Sequence, residues 1–533
     1  MRWAGPVASG LVASAFGLWR LTGAGMWRDE AVTYYVAQRS VSQLWRLTGH
    51  VDAVHGCYYL LIHLVFAVFG PSVPALRLPS VLAGAGTAAL IAAVGGRLAT
   101  RRAGLFAGVF WAVLPQVSRY LQEGRSYALV SLCTVAGAYF LVRRRWAAFA
   151  LALALACALN LLAVLGLAAF GVTILLRRLQ RDADRRATVR AVSALTAAAL
   201  AGAVPVALRS RGERAAMISW IPRPTPRTCV HLVTMMSGSR RVVLPVLLVA
   251  AVGCLSLLAR PAREGVRGDR DDRHRERDGR DHRGRERQLV ALALPLAVLP
   301  PSLLVGYSLI AAPAFMPRYV LYAFAGAALL TGLGLDTLVR ATGVLLERAA
   351  GRRPGRIGSA GADGGRAGAG GGPHRVARWA GGSPGLVAGC AALAVVAASG
   401  WHAQLTIRRA DGHGDPLLRM ARVVQDNAKP GDGVLFLPAE SRYAELAYPG
   451  CFRRTTDLVP GATPAQAAGL VVDDYPPAEL AARLSGHRRV WVVRSYSASD
   501  DEPDSYALLR ADGYHRTRSW AVWTTRVVQL WVE

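Results

Sequence analysis

Long apolar runs broken by short polar or arginine-rich stretches set the pattern of this chain. Runs near 3–21, 77–97, 103–117, 126–142, 146–158, 160–176, 187–208, 240–259, 288–311, 319–342 and 384–402 read as membrane-spanning helices. A bilayer core is crossed by roughly 20 predominantly apolar helical residues. The run from Tyr58 to Phe69 is only about twelve residues, short for a crossing. Charge parity decides how to read it. If it does not cross, Arg97-Arg101-Arg102, Arg143-Arg144-Arg145 and the 177–190, 260–287 and 344–380 segments all share one side, as the bias of arginine toward the cytoplasm requires. The 58–69 segment is therefore expected as an amphipathic or re-entrant helix at the outer surface. About eleven spans follow, with the N-terminus inside and the C-terminus outside.

Past residue 402 the pattern changes. Gly433-Val434-Leu435-Phe436-Leu437 and Arg489-Val490-Trp491-Val492-Val493 are short, β-branched and aromatic, which predicts buried strands. Helical periodicity covers 415–427, 440–447 and 476–485, and a last strand or hairpin is expected over Ala521 to Val532. The expected fold class is mostly α: a polytopic transmembrane helical bundle of about 11 spans plus juxtamembrane helices, with a C-terminal extracytoplasmic α/β domain. The expected boundaries are a membrane core over 1–343 with a charged cytoplasmic loop at 262–287, a Gly/Arg-rich flexible cytoplasmic linker at 344–383, a last transmembrane helix at 384–402, and the α/β domain at 403–533. The Arg/Asp-rich 262–287 tract has the composition of a segment that cannot form a core.

Composition changes this picture little. A net charge of +29 over 533 residues comes almost wholly from arginine, Lys429 being the single lysine. Its bursts between apolar runs assign it to topology and not to a nucleic-acid partner. Seven scattered cysteines show no CxxC and no zinc spacing.

Chemistry concentrates in the outer loops. The first apolar run leads into Trp27-Arg28-Asp29-Glu30, two adjacent carboxylates at a membrane surface. Either can take a proton from an attacking hydroxyl; one of the pair also suits the cap of the helix starting near Ala31. The same loop carries Asp52, His55, Tyr58 and Tyr59. A second outer loop reads Ser118-Arg119-Tyr120-Leu121-Gln122-Glu123-Gly124-Arg125-Ser126-Tyr127, and a third Pro317-Arg318-Tyr319. Arg125 at a helix start, with Arg119 and Arg318, forms a phosphate clamp if the three meet. The competing reading is interfacial anchoring by arginine and tyrosine. Asp29, Asp52 and His55 could ligate a divalent cation, although no spacing enforces it.

Four pieces together carry a resemblance: Trp27-Arg28-Asp29-Glu30-Ala31; Asp52-Ala53-Val54-His55-Gly56-Cys57-Tyr58-Tyr59-Leu60-Leu61; Leu76-Arg77-Leu78-Pro79-Ser80; and Arg119 through Tyr127. The chain resembles the membrane glycosyltransferases of the GT-C superfamily, specifically the family 39-like polyprenyl-phosphate-sugar (mannosyl) transferases of actinobacteria, best over residues 1–180. The resemblance implies a polyprenyl-phosphate-linked sugar donor, mannose first among sugars, used outside the cytoplasm with inversion at the anomeric carbon. It implies Asp29 as catalytic base with Glu30 as its partner. The substrate-binding set expected with them is Arg28, Asp52, His55, Tyr58, Arg119, Tyr120, Gln122, Glu123, Arg125, Tyr127, Arg318 and Tyr319. No metal ligand and no definite cofactor is assigned, with a divalent cation (Mg or Mn) left open. The expected partners are the lipid-linked donor, membrane lipid and an acceptor protein, lipid or glycan. Relatives carry His-Pro-Pro where this chain has His55-Gly56-Cys57. The readings from other classes are a lipid or polysaccharide transporter and a catalytically degenerate relative acting as a binding partner. Transport fits poorly, because the spans are nearly free of charge and show no inverted repeat.

Overall fold

The computed structural model describes residues 3–212, 221–255, 270–349, 384–458, 465–466, 468–470, 477–495, 504–523 and 526–533. Residues 262–269 of the charged tract and 350–383 of the linker lie outside them. What is described is mostly helical, with one small C-terminal sheet.

The helices that position the site come early in the chain. They are α1 (Ala4–Leu18), α2 (Arg28–Val36), α3 (Val41–Leu47), α4 (Gly56–Phe69), α5 (Val73–Leu98), α6 (Arg101–Val113), α7 (Pro115–Leu121) and α8 (Tyr127–Val142). Polar residues set their starts. Ser40 and Gln43 form a reciprocal capping box on α3. Ser72 and Thr100 accept from the third residue of α5 and α6. α1, α5 and α6 pack mutually, and the contact is close because it is made of small residues. A Cβ on Gly104 of α6 would stand 2.2 Å from the Ala92 carbonyl of α5.

Five helices are long and apolar enough to cross a membrane: Val73–Leu98, Leu161–Leu179, Arg185–Arg209, Asp281–Ile310 and Pro317–Gly343; a pair bent by 81° (Pro226–Ser237 with Arg240–Leu255) makes up to six. Ala4–Leu18, Tyr127–Val142, Trp146–Leu159 and Leu386–Ser399 are apolar but shorter. These lengths alone do not give eleven crossings. The segment from Ala53 to Phe69 is a helical turn followed by a helix, again of the shorter class.

Two expectations are corrected. The charged stretch is not a loop from residue 270 on: one helix runs Arg270–Ile310, straight into the apolar run. Side chains one turn apart meet along it, as where His282 Nδ1 lies 3.3 Å from Glu286. The helix Phe324–Ala349 likewise continues past residue 343. Both are tied to α6 by ion pairs on two buried carboxylates: Asp336 takes Arg102 and Arg340 at 3.1 Å each, and Arg340 reaches Glu286 at 2.8 Å.

The C-terminal sheet has strands β1 (Asp432–Leu437), β2 (Thr455–Asp457), β3 (Arg489–Ser495), β4 (His515–Trp523) and β5 (Arg526–Val532) in the order β2-β1-β3-β5-β4. β1 lies parallel to β2 and β3, and β5 antiparallel to β3 and β4. Leu435, Val490, Val492 and Trp531 fill one core with Leu480, Leu484, Tyr506 and Leu509 of the covering helices. β2 and the helix Asp504–Ala511 add to the predicted elements, and the terminal hairpin begins at His515, six residues before the expected strand.

Candidate active site

Arg77 lies inside the apolar helix α5, where no water can satisfy a guanidinium, and it is fully buried. Glu30 neutralises it with a two-pronged pair, Nε to Oε1 and Nη2 to Oε2, both 2.7 Å. Arg77 Nη1 also donates to the carbonyls of Leu21 (2.6 Å) and Ala24 (3.0 Å). The Gly124 N–H gives Glu30 a further bond of 2.8 Å. Glycine is required there, since a Cβ would meet Leu76 Cγ at 2.3 Å. Glu30, expected as the partner of Asp29, a helix cap or a support, is thus enclosed, with Arg77 and Gly124 on its oxygens.

Asp29 differs because adjacent helical residues diverge by about 100°. Its side chain keeps 24% of its surface and faces Arg318 Nη2 at 3.7 Å. Behind it runs a hydrogen-bonded chain. Arg125 Nη1 donates to the Asp29 carbonyl (3.2 Å) and to Thr33 Oγ1 (3.1 Å), and Nη2 donates to His55 Nε2 (2.6 Å). A guanidinium only donates, so His55 Nε2 accepts and its proton sits on Nδ1. That Nδ1 donates to Asp52 Oδ1 at 2.5 Å, and the Tyr59 hydroxyl donates to Asp52 Oδ2. Burial pushes the Asp52 carboxyl up, but His55, Arg125 and Tyr59 outweigh it and hold it below its ordinary range. Asp52 sits at φ 59°, a left-handed conformation that Asp tolerates better than most residues.

A second ion pair flanks this chain. Arg119 Nε meets Glu123 Oε1 at 2.9 Å and its Nη2 donates to the His413 carbonyl at 3.0 Å. Glu123 is fully buried, and burial raises its carboxyl pKa against the opposing pull of Arg119. Aromatic rings complete the wall. Tyr120 and Tyr127 lie 5.4 Å apart, Tyr127 and Tyr319 6.2 Å. The Arg318 guanidinium stands 5.2 Å over Trp27 and 5.4 Å over Tyr319. Beside the cluster opens a cavity of about 520 Å³, with His55, Tyr307 and Tyr319 among its polar lining and Val54, Leu161 and Leu304 among its apolar walls.

The C-terminal domain closes the remaining side. Gly25 N–H donates to the Ala410 carbonyl (2.9 Å), Met26 N–H to the Tyr448 hydroxyl (2.6 Å) and Arg28 N–H to Asp415 Oδ2 (3.2 Å). The helix Tyr443–Ala447 packs on α2, with Tyr443 in electrostatic reach of Arg28 and Asp29.

Asp29, Asp52, His55, Arg125, Tyr127, Arg318 and Tyr319 therefore converge, with Arg119, Tyr120 and Glu123 adjoining and Tyr58 fully buried within electrostatic reach of Arg125 and Glu30. Three expectations shift. Gln122 donates to the carbonyls of Gly17 (3.0 Å) and Trp19 (2.7 Å), closing the end of α1 and not facing the cavity. Arg28 turns toward the C-terminal domain. Arg125 has both terminal nitrogens committed to protein acceptors. Asp52 and His55 take each other as partners, and among the described residues no group of three or more His, Cys, Asp or Glu side chains is placed to hold a metal ion. Arg77, Tyr59 and Tyr443 were given no role from the sequence; the signal for Arg77 was an arginine at the head of the 77–97 apolar run.

No protein-family model matches the chain, and no curated protein sequence matches it. Solved structures do. ArnT from Cupriavidus metallidurans, bound to undecaprenyl phosphate and in the apo state, is similar at a TM-score of 0.55 and 14% identity, covering 98% of this chain and 97% of that one. The likeness is one of fold. A lesser similarity, to the archaeal oligosaccharyltransferase AglB from Archaeoglobus fulgidus, has a TM-score of 0.47 at 12% identity over 92% of this chain and 69% of that one, too low to argue from.

Proposed function

We propose that this protein is a membrane glycosyltransferase that moves a sugar, mannose first among candidates, from a polyprenyl phosphate to a hydroxyl acceptor on the non-cytoplasmic face. One observation carries the reading. Of the carboxylates gathered at the cluster, Asp29 is the most open, and it stands 3.7 Å from a cation beside a large apolar cavity. The four sequence motifs that resemble the GT-C family 39-like enzymes supply its residues, and the fold likeness to a protein bound to undecaprenyl phosphate supports a lipid-linked donor.

In the proposed reaction Asp29 accepts the proton of the acceptor hydroxyl as its oxygen attacks the anomeric carbon. The new carbon–oxygen bond forms opposite the breaking bond to phosphate, which inverts the centre. The polyprenyl phosphate leaves with the bonding electrons, and Arg318, with Arg119 behind it, stabilises that charge. The cavity next to His55 and Tyr319 holds the first isoprene units. Arg125, His55, Asp52 and Tyr59 hold α2 so that Asp29 points at the acceptor. Glu30 with Arg77 fixes the floor beneath it.

Membranes containing the protein are given radiolabelled polyprenyl-phosphate mannose, and transfer to endogenous acceptors is counted, with other polyprenyl-phosphate sugars as competitors. Wild type transfers label and Asp29→Asn does not. Equal transfer by the two overturns the assignment. Orientation is read separately with an impermeant thiol reagent on Cys57 and Cys451: labelling of intact cells at Cys57 puts the cluster outside, and labelling only after permeabilisation puts it inside.

A further inference from the structure

The helix that carries the proposed base begins without a cap of its own. Trp27 holds the N-cap position of α2 in extended backbone (φ −98°, ψ 170°) and makes no side-chain cap bond. An indole only donates, so it has nothing to offer an orphan N–H. The two acids of the first turn are engaged elsewhere, Glu30 by Arg77 and Gly124 and Asp29 by Arg318. The acceptor comes instead from 387 positions along the chain, where Asp415 Oδ2 takes the Arg28 N–H at 3.2 Å. The Asp415 side chain keeps only 10% of its surface. Its Oδ1 is sealed without a hydrogen bond and faces Arg526 Nη2 of β5 at 3.9 Å.

Both flanks of Asp415 are fixed. On one side Arg119 holds the His413 carbonyl at 3.0 Å; on the other Pro416 leads into the helix Leu417–Asn427, whose first residue is buried. Two more N–H groups of the loop before α2, those of Gly25 and Met26, donate to Ala410 and Tyr448. From the bundle, Arg125 holds the Asp29 carbonyl. Asp29 is therefore suspended between two supports, one in the membrane core and one in the C-terminal domain. A carboxylate at a helix start satisfies an otherwise orphan donor and complements the dipole. A plain interdomain ion pair would seat the carboxylate against its arginine; here the shorter contact is the backbone N–H beside Asp29. We infer that Asp415 is a positioning residue: through it the C-terminal domain caps α2 and sets the angle at which Asp29 meets the acceptor hydroxyl. The positioning rests on the proposed role of Asp29; the cap does not.

Wild type, Asp415→Ala and Asp415→Asn are purified at full length in detergent. Hydrogen–deuterium exchange is followed by mass spectrometry over α2 and, as control, over the helix Trp146–Leu159. Transfer from radiolabelled polyprenyl-phosphate mannose is measured per folded molecule, with membranes of cells lacking the protein as the source of acceptors. Asp415→Ala speeds exchange in the first turn of α2 about fivefold and leaves the control helix unchanged. It lowers kcat about tenfold or more with the donor KM within about twofold, as a misplaced base does. Asparagine caps as well as aspartate, so Asp415→Asn returns both readings to within about threefold of wild type. If Asp415→Ala does not fold, Arg28→Pro is compared with Arg28→Ala. Proline is tolerated at the first helical position but has no N–H to give, and it lowers kcat about tenfold more than alanine does. Unchanged exchange in α2 overturns the cap. Faster exchange with unchanged kcat overturns the positioning, and equal damage from Asp415→Asn overturns the hydrogen bond as its means. Asp29→Asn transferring like wild type overturns the reaction and the positioning with it, while the exchange result still decides the cap.

Discussion

Asp29 and Glu30 are the same chemistry one residue apart, in two surroundings that give them opposite work. Glu30 sits in a dry pocket where every oxygen is used by Arg77 or Gly124. Asp29 lies at the rim, with surface to spare and a looser cation. A carboxylate that must accept a proton needs room for a substrate and incomplete satisfaction. One that holds a floor in place needs neither.

The sharpest way to break the comparison is to exchange the consequences. Glu30→Ala leaves Arg77 uncompensated in an apolar helix and costs about 3–5 kcal/mol, read as a fall in Tm and in folded yield from detergent. Asp29→Asn leaves Tm near wild type and lowers transfer by about 10²–10⁴; a comparable fall in Tm instead makes both residues structural. Asp52→Asn tests the chain behind Asp29. It weakens the hold on His55 and through it Arg125, lowering kcat about tenfold or more with the melting temperature little moved. The last prediction concerns pH. Burial raises the Glu445 carboxyl to about 7, with Asp457 adding to the rise and Arg442 opposing it. Its folded pKa lies above the unfolded value, so the neutral form favours the fold and stability falls as pH rises through that range. Glu445→Gln therefore raises Tm at pH 8 by the equivalent of about 1–3 kcal/mol and leaves it unchanged at pH 4.

Much of this was legible in the sequence, and the reasons differ by region. Strands β1 and β3 and the helices beside them announce themselves by short β-branched runs and helical periodicity. Charge parity placed the loops of Asp29, His55, Arg125 and Arg318 on one side only as an expectation; the contacts that gather them are read from the structure. The partner of each charge was not legible. Arg77 lies 47 positions from Glu30, and nothing local in α5 says which carboxylate it meets. Gln122 reads as a loop polar group until α1 is seen to end beneath it. The helix from Arg270 was missed because composition speaks against a core but not against a helix.

Arg408 gives the molecule one more property. It is buried, and it donates to the carbonyls of Phe16 (2.5 Å) and Trp19 (2.9 Å) and to Ser118 (3.2 Å), with its guanidinium 4.2 Å over the Trp19 ring. The last apolar helix and the C-terminal domain are thereby riveted to the start of the chain, independently of whatever covalent path joins residues 349 and 384. Two polypeptides, one ending after Ala349 and one beginning before Pro384, should find each other when made in the same membrane. They should co-purify and restore transfer, and Arg408→Ala should part them.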